Sequence, residues 1–330
     1  MIFATYRWGV RSNEIYRVHE RPTMIGIAGD SGAGKDLLTE LARQALGVEQ
    51  TSVVSGDDYH KWPRGHDSWQ VYTHLDLKSN KLHAMVHDAI ALGERNTISK
   101  VSYDHQTGAF TDPRAMSPTE FVFFAGLHTF VIERMRALFD LRVFLEPDEE
   151  LRLFWKVRRD ARDRSATPAQ VLETVERRRA DSAKHVQPQV QYADLVMSFR
   201  ALEPIRVDDL DAQPQLAVKL TGKNSFHLDL LADALRRHDG LKVADQPVGD
   251  LTFHSLDVQG VIDASEVRRL VQELVPNLEE LTQGYRATFH RDLHGIVQLT
   301  LLYCISQVRR WRASDRPGAP RLNERWTGGW

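Results

Sequence analysis

A glycine-rich loop, set between an apolar run and an amphipathic segment, constrains the fold of this chain more than any other feature. The run MIGIAG (24–29) predicts a buried strand, and LLTELARQALG (37–47) has apolar residues at helical spacing and a closing glycine. Between them stands Gly-x-x-x-x-Gly-Lys, whose backbone N–H groups and lysine bind phosphate oxygens at the start of a helix. A chance glycine turn is the alternative, and the flanking strand and helix argue against it. The predicted phosphate-binding residues are Gly29, Asp30, Ser31, Gly32, Ala33, Gly34, Lys35, Asp36 and Leu37.

The residue after the lysine departs from this motif. Ser or Thr normally stands there and ligates Mg²⁺ through its hydroxyl, whereas this chain has Asp36. A carboxylate is also a hard oxygen ligand, so we predict that Asp36 holds Mg²⁺ directly or through water. The alternative is that Asp36 only caps the helix.

Strand-like and helix-like segments alternate from residue 24 to about 200. Further strands are predicted at 51–55, 121–128, 141–147 and 193–199, and helices at 79–93, 129–140, 148–164 and 167–185. Ser79 or Asn80 is expected to cap the first of these helices, and Thr167 the last. The alternation predicts a three-layer α/β domain with a mostly parallel sheet. After Pro204 the pattern changes to a smaller α+β unit.

Composition excludes several classes of protein. The 330 residues carry 43 Lys+Arg and 45 Asp+Glu, a balance that argues against a protein built to coat nucleic acid. Arginines and tryptophans after Ser306 could stack on bases, but short charged termini are usually only solvated, so nucleic-acid binding is not expected. No run reaches the ~18 apolar residues of a membrane span. The single cysteine, Cys304, excludes a disulfide framework, and we expect a cytoplasmic protein.

Several short motifs follow the glycine loop in a fixed order. Together with that loop they resemble the phosphoribulokinase/uridine kinase family of P-loop kinases over about 24–200. The resemblance implies a P-loop NTPase fold and a kinase that uses ATP and Mg²⁺ to phosphorylate a hydroxyl of a small molecule. The motifs are GDDYH (56–60), YDHQTG (103–108), GLH (126–128), RRD (158–160), and PQ (188–189) with YAD (192–194).

With this resemblance the chain divides into four parts. They are a leader segment (1–22), a P-loop kinase domain (23–204), a C-terminal α+β unit (205–312) and a flexible tail (313–330). No motif assigns a role to the C-terminal unit, which we expect to mediate homodimerisation or to shape the acceptor pocket.

Asp57 is the predicted general base. A kinase acting on a hydroxyl needs a carboxylate near the acceptor to orient it and accept its proton. Asp57 follows a strand, at the carboxyl edge where ligands bind in parallel sheets, and the resemblance gives it this role. Asp58 is the alternative base. A simpler interpretation is that both aspartates only cap the next turn.

A basic cluster ends the helix at 148–164. The resemblance makes this region a lid whose arginines Arg158, Arg162 and Arg164 stabilise the transferring phosphoryl group, with Asp160 orienting substrate hydroxyls. The alternative is a solvated helix end favoured by the helix dipole. The family usually has glycine after the last lid arginine, where this chain has Ser165.

The acceptor is predicted from residues near Asp57. His60 and Arg64 match the positions at which phosphoribulokinases bind the phosphate of their substrate, and uridine kinases usually lack them. Tyr103, His105 and His128 complete the predicted substrate site. A sugar phosphate or polyol phosphate is therefore the expected acceptor, and a nucleoside is the alternative. Thiol regulation, known in part of the family, needs a cysteine pair, which this chain does not have.

One departure from the family opens a second interpretation. The family's strand motif carries a glutamate that helps to hold Mg²⁺, where this chain has Ala125. Either Asp36 replaces that glutamate in an active kinase, or the site is impaired and the protein only binds a nucleotide or sugar phosphate. Retention of Lys35, Asp57 and the lid arginines favours the active kinase.

Overall fold

The computed structural model describes residues 21–164, 166–249 and 252–314. Most of the predicted leader segment, nearly all of the predicted tail and Ser165 lie outside the described residues. Eight strands form one sheet in the order β2-β5-β1-β6-β7-β8-β10-β9. Their bounds are β1 Thr23–Gly29, β2 Thr51–Ser55, β5 Phe121–Gly126, β6 Leu141–Leu145, β7 Leu195–Ala201, β8 Leu216–Lys223, β9 Leu241–Val248 and β10 Phe253–Gly260. A separate two-stranded sheet pairs β3 Ile98–Lys100 with β4 Arg114–Met116.

The sheet has a parallel half and an antiparallel half. Strands β2, β5, β1, β6 and β7 are parallel, so their carboxyl ends share one edge. Strands β8, β10 and β9 continue the sheet antiparallel. The helices are α1 Lys35–Leu46, α2 Leu82–Gly93, α3 Glu133–Arg136, α4 Glu149–Arg164, α5 Pro168–Asp181, α6 Leu228–Arg236, α7 Ala264–Leu274, α8 Leu278–Thr282 and α9 Asp292–Ser314.

Alternating side chains of the central strands fill a hydrophobic layer on each face. Ile25 and Ile27 of β1 belong to the layer that contains α1, α6, α7 and α9, whereas Met24 and Ala28 belong to the layer under α2 and α3. A strand buried on both faces needs a continuous apolar run, which explains MIGIAG. The predicted three-layer α/β fold with a mostly parallel sheet is confirmed. No helix in the described part of the chain is long and apolar enough to cross a bilayer.

Two local predictions were wrong for tertiary reasons. The segment 129–140 forms only the single turn of α3. The Phe130 N–H donates to Gln189 Oε1 at 2.8 Å, and Arg136 Nη1 donates to the Phe130 carbonyl at 2.7 Å, so side chains bind backbone groups that a longer helix would use. Helix α2 begins at Leu82 with neither Ser79 nor Asn80 as its cap, since their side chains bind the preceding loop. The Thr167 cap of α5 is present as a full capping box with Gln170.

The residues after 205 extend the sheet and the core of the preceding part. Strands β8, β10 and β9 pair beyond β7, and apolar side chains of α6, α7 and α9 join the layer that covers α1. Helix α9 is fixed to α1 by Gln298, whose Nε2 donates to the Leu41 carbonyl at 3.1 Å. The predicted boundary near 204 therefore falls where the sheet changes from parallel to antiparallel.

Candidate active site

The glycine loop follows β1 at the shared carboxyl edge of the parallel strands. Gly32 and Gly34 have φ of +88° and +93°, the left-handed region that favours glycine. A Cβ on Gly32 would also lie 2.9 Å from the Cβ of Lys156. The loop therefore needs glycine both to turn and to let α4 approach. The loop leads directly into the N-terminus of α1, where free backbone N–H groups can bind an anion.

Lys35 folds back over this loop. Its Nζ donates to the carbonyls of Gly29 and Asp30, each at 2.9 Å. Burial lowers the pKa of Lys35, against the opposing charges of Asp36, Asp57 and Asp30. The partly buried Lys35 ammonium is bound to two backbone carbonyls, and it is placed to exchange them for phosphate oxygens.

A cleft of about 970 Å³ runs along this edge of the sheet. This volume lies within the range of small-molecule sites. The cleft brings together most of the residues predicted from the sequence, including Ser31, Gly32, Ala33, Gly34, Lys35, Asp36, Leu37, Asp57, His60, Arg64, Tyr103, His105, Arg158, Asp160 and Arg162.

Asp57 lies in the single 3₁₀ turn that follows β2, with 31% of its side chain exposed to the cleft. Its Oδ1 lies 3.4 Å from His60 Nε2 and its Oδ2 lies 3.3 Å from His105 Nε2. Burial opposes ionisation of this carboxyl, but hydrogen bonds from His105 and His60 and their charge hold its pKa well below the ordinary value. Asp57 is therefore a carboxylate at neutral pH.

Asp58 has a different environment. It is buried, its Oδ1 accepts from the Tyr103 backbone N–H at 2.7 Å, and its Oδ2 accepts from Lys100 Nζ. These bonds join the turn after β2 to the segment after β3. Asp58 therefore fixes the loop that carries Tyr103 and His105, and the geometry favours Asp57 as the base.

His60 is oriented by Asn80. Asn80 Nδ2 donates to the carbonyls of His74 and Asp76, at 3.0 and 2.9 Å, so its Oδ1 faces His60. His60 Nδ1 therefore donates to that oxygen at 2.8 Å, which turns its Nε2 toward Asp57. The Asn80 position carried no signal in the sequence analysis beyond the expected cap.

Arg64 and His128 have other contacts than those expected of substrate ligands. The Arg64 guanidinium donates to the carbonyls of His105 and Gln106, at 2.6 and 3.2 Å, and so supports the loop that carries His105. His128 is buried against the His74 carbonyl at 3.4 Å and lines a separate cavity of about 10 Å³, room for one water. Burial lowers the pKa of His128 to about 4, so it is neutral at physiological pH.

The predicted lid arginines point in different directions. Arg158 Nη1 donates to the Ala212 carbonyl at 3.2 Å, and Arg162 pairs with Asp163 at 2.7 Å on an exposed surface. The Arg164 side chain lies outside the described residues. Asp160 accepts from Lys156 at 3.1 Å and from Arg159 at 2.9 Å, so it holds the cations of α4 together.

Lys156 was missed as a site residue. Its Nζ lies 3.2 Å from Ser31 Oγ, in contact with the glycine loop. Burial, together with Arg159 and Arg178, lowers the pKa of Lys156 to about 8 against the opposing charge of Asp160. Arg152, one helical turn earlier, donates to the Ser31 carbonyl at 2.8 Å. The spacing i, i+4, i+7 of Arg152, Lys156 and Arg159 is the signal that would have found this cationic face.

A Gly-Lys loop between a central parallel strand and a helix, with a carboxylate across the cleft, defines a P-loop phosphate-binding protein. The model of the "Phosphoribulokinase / Uridine kinase family" matches residues 24–205, more than half of the chain. The chain therefore belongs to the phosphoribulokinase/uridine kinase family, as the sequence motifs predicted.

Individual relatives agree with this assignment. A phosphoribulokinase of Synechocystis is 33% identical over 204 residues, which cover 62% of this chain and 60% of that protein. A uridine kinase of Deinococcus deserti is 26% identical over 204 residues, 59% of this chain and 96% of that protein. The solved phosphoribulokinase from Rhodobacter spheroides shares the fold with a TM-score of 0.58 and 17% identity, covering 80% of this chain and 99% of that one. The chain thus spans less than two thirds of the length of its phosphoribulokinase relative from Synechocystis.

Proposed function

We propose that this protein is an ATP-dependent kinase that transfers the γ-phosphoryl group to a hydroxyl of a sugar phosphate or polyol phosphate. The observation that carries the proposal is the Asp57 carboxylate, which His60 and His105 hold in the same cleft as the P-loop lysine. The phosphoribulokinase relative at 33% identity supports it.

In the proposed reaction the acceptor oxygen attacks the γ-phosphorus while the bond from the γ-phosphorus to the β–γ bridging oxygen breaks. The hydroxyl proton passes to Asp57, and the leaving group is ADP. Because the transition state of phosphoryl transfer is loose, Asp57 acts mainly by orienting the hydroxyl and accepting its proton late. Lys35 and Lys156, which both contact the glycine loop, stabilise charge on the phosphates in this proposal.

The charge around Asp57 favours an acceptor that already carries a phosphate. His60, Arg64, His105, Arg177 and Arg178 all line the cleft near the aspartate or on the facing helix α5. The arginines of this set suit a phosphate and would have no charged partner in an uncharged nucleoside.

A transfer screen tests the proposed function. The purified protein is incubated with ATP, Mg²⁺ and panels of pentose phosphates, polyol phosphates and nucleosides, and ADP release and product mass are measured. Transfer to one or more of the phosphorylated acceptors is expected. Transfer to uridine alone would support the nucleoside alternative, and nucleotide binding without any transfer would support the impaired-site alternative.

The carboxylates present fit a Mg²⁺ ion that takes only part of its ligands from the protein. Among residues 21–164, 166–249 and 252–314, no three His, Cys, Asp or Glu side chains form a metal site. Mg²⁺ commonly takes one or two protein carboxylates together with water and substrate phosphates. Asp36 is exposed to the cleft directly after Lys35, and it is the carboxylate we assign to this role. When bound, Mg²⁺ would neutralise charge on the β- and γ-phosphates.

Asp36→Ala is therefore expected to raise the Mg²⁺ concentration needed for half-maximal activity by at least about tenfold. Asp36→Glu, which keeps the carboxylate, is expected to retain a larger share of activity. Both are measured by titrating Mg²⁺ at saturating ATP. Unchanged Mg²⁺ dependence in Asp36→Ala would show that Asp36 does not hold the metal.

The lowered pKa of Lys156 predicts a pH dependence of nucleotide binding. Protonated Lys156 attracts phosphate, and a pKa of about 8 means that the free protein loses this charge as pH rises above that value. ADP affinity is therefore expected to fall about tenfold between pH 7.5 and 9. Calorimetry over this range tests it, with the exposed Lys184→Met as the matched control. Lys156→Met should bind ADP weakly at pH 7.5 and show a flat profile, and a profile as steep as that of the unaltered protein would contradict the assignment.

A further inference from the structure

Apolar side chains line a part of the cleft that the proposed transfer reaction does not use. Strands β2 and β5, which carry the acceptor side, lie on one side of β1, and β6, β7 and β8 lie on the other. A nucleotide held by the glycine loop after β1, with its γ-phosphate toward Asp57, would extend toward this second side. The apolar side chains that α1, α4, β7, β8 and α9 contribute to the cleft are Leu37, Trp155, Phe199, Leu216, Leu293 and Val297.

Two of these residues come from α9, outside the region that the family model matches. Leu293 and Val297 are one helical turn apart and therefore share a face of α9. The bond from Gln298 to Leu41 and the bond from the Thr288 N–H to the Gln44 carbonyl, 2.9 Å, fix the start of α9 and the segment before it against α1. The position of this face relative to the glycine loop is thus set by direct hydrogen bonds.

Part of this apolar surface is open to the cleft, whereas Val297 and Phe199 are only 2% and 8% exposed. Leu37, two residues after the P-loop lysine, is 49% exposed although it lies in the first turn of an otherwise amphipathic helix. The Trp155 and Phe199 rings lie 5.9 Å apart at 62°, an edge-to-face pair at the cleft wall. His294, which also lines the cleft, adds a polar ring at its mouth. Apolar walls with one polar group at the rim suit a planar heterocycle.

We infer that α9 completes the subsite for the base of the nucleotide. This inference rests on the proposed function only in that the ligand is a nucleotide held by the P-loop. It gives a role to residues near 290–300, for which the sequence motifs supplied none.

The experiment compares ADP, which carries a nucleobase, with pyrophosphate, which does not. ADP and pyrophosphate are titrated by calorimetry into the full-length protein and into the double variant Leu293→Ala/His294→Ala. The unaltered protein is expected to bind ADP at least about tenfold more tightly than pyrophosphate. The double variant should lose about tenfold in ADP affinity and none in pyrophosphate affinity.

Arg291→Ala is the matched control, because its side chain is 80% exposed just before α9 and does not line the cleft. It should bind both ligands like the unaltered protein, with the same melting temperature. Equal losses for ADP and pyrophosphate in the double variant, or no loss for ADP, would overturn the inference. Equal affinity of the unaltered protein for both ligands would overturn it while leaving the proposed kinase intact. If neither ligand bound, both proposals would fall.

Discussion

Asp57→Asn is expected to lower kcat for phosphoryl transfer by about 10³-fold and to leave ADP affinity within about twofold. The amide keeps the size of the side chain and its contacts with His60 and His105, but it cannot accept the hydroxyl proton. Because the Asp57 pKa is held well below its ordinary value, the carboxylate is present throughout the neutral range and the loss should be independent of pH. The measurement is steady-state kcat on the acceptor found in the screen, with ADP binding followed separately by calorimetry.

Two control variants separate catalysis from folding. Asp112→Asn alters an exposed carboxylate that does not line the cleft, and it should keep full activity. Asp58→Asn removes the buried partner of Lys100, so it should lower the melting temperature. If Asp57→Asn kept more than about a tenth of kcat, Asp57 would not be the base.

The parallel half of the fold was predictable because its signals are local. A strand, a glycine loop and a helix follow one another within 24–47, and each has its own periodicity or turn chemistry. The pairing of β8 with β7 was not predictable, because strand periodicity identifies a strand and says nothing about its neighbour. The missing helix at 129–140 has the same kind of cause, since Gln189 holds that backbone from 59 residues away.

The candidate site was likewise predictable where motifs position its residues, and not where tertiary contacts do. The motifs predicted Lys35, Asp57 and His60 in one site because these residues follow parallel strands whose carboxyl ends share one edge, although β5 lies between β1 and β2. It could not decide between Asp57 and Asp58, since only the tertiary contacts of Lys100 and Tyr103 separate a buried structural aspartate from an available one. Nor could it show which cations of α4 face the loop, because that depends on how the helix packs.

Lys35→Met is expected to lower kcat/KM for ATP by about 10³-fold without lowering the melting temperature. The activity falls because the ammonium that bridges the phosphates is lost. The expectation for stability follows from the lowered pKa of Lys35. When the pKa of a lysine is lower in the folded state, the lysine binds its proton more tightly in the unfolded state. Protonated Lys35 therefore costs folding free energy at neutral pH, and this cost vanishes only above the unfolded pKa, near 10.4.

Thermal denaturation and steady-state kinetics with ATP at pH 7.5 test both parts of this expectation, with the exposed Lys78→Met as the matched control. Methionine keeps an unbranched apolar stem and removes only the charge, so the carbonyls of Gly29 and Asp30 lose their donor but remain close to the open cleft. A melting temperature that fell by many degrees would mean that Lys35 holds the loop together. A stable protein that no longer turns over ATP would show that this lysine is kept for phosphate at the expense of stability.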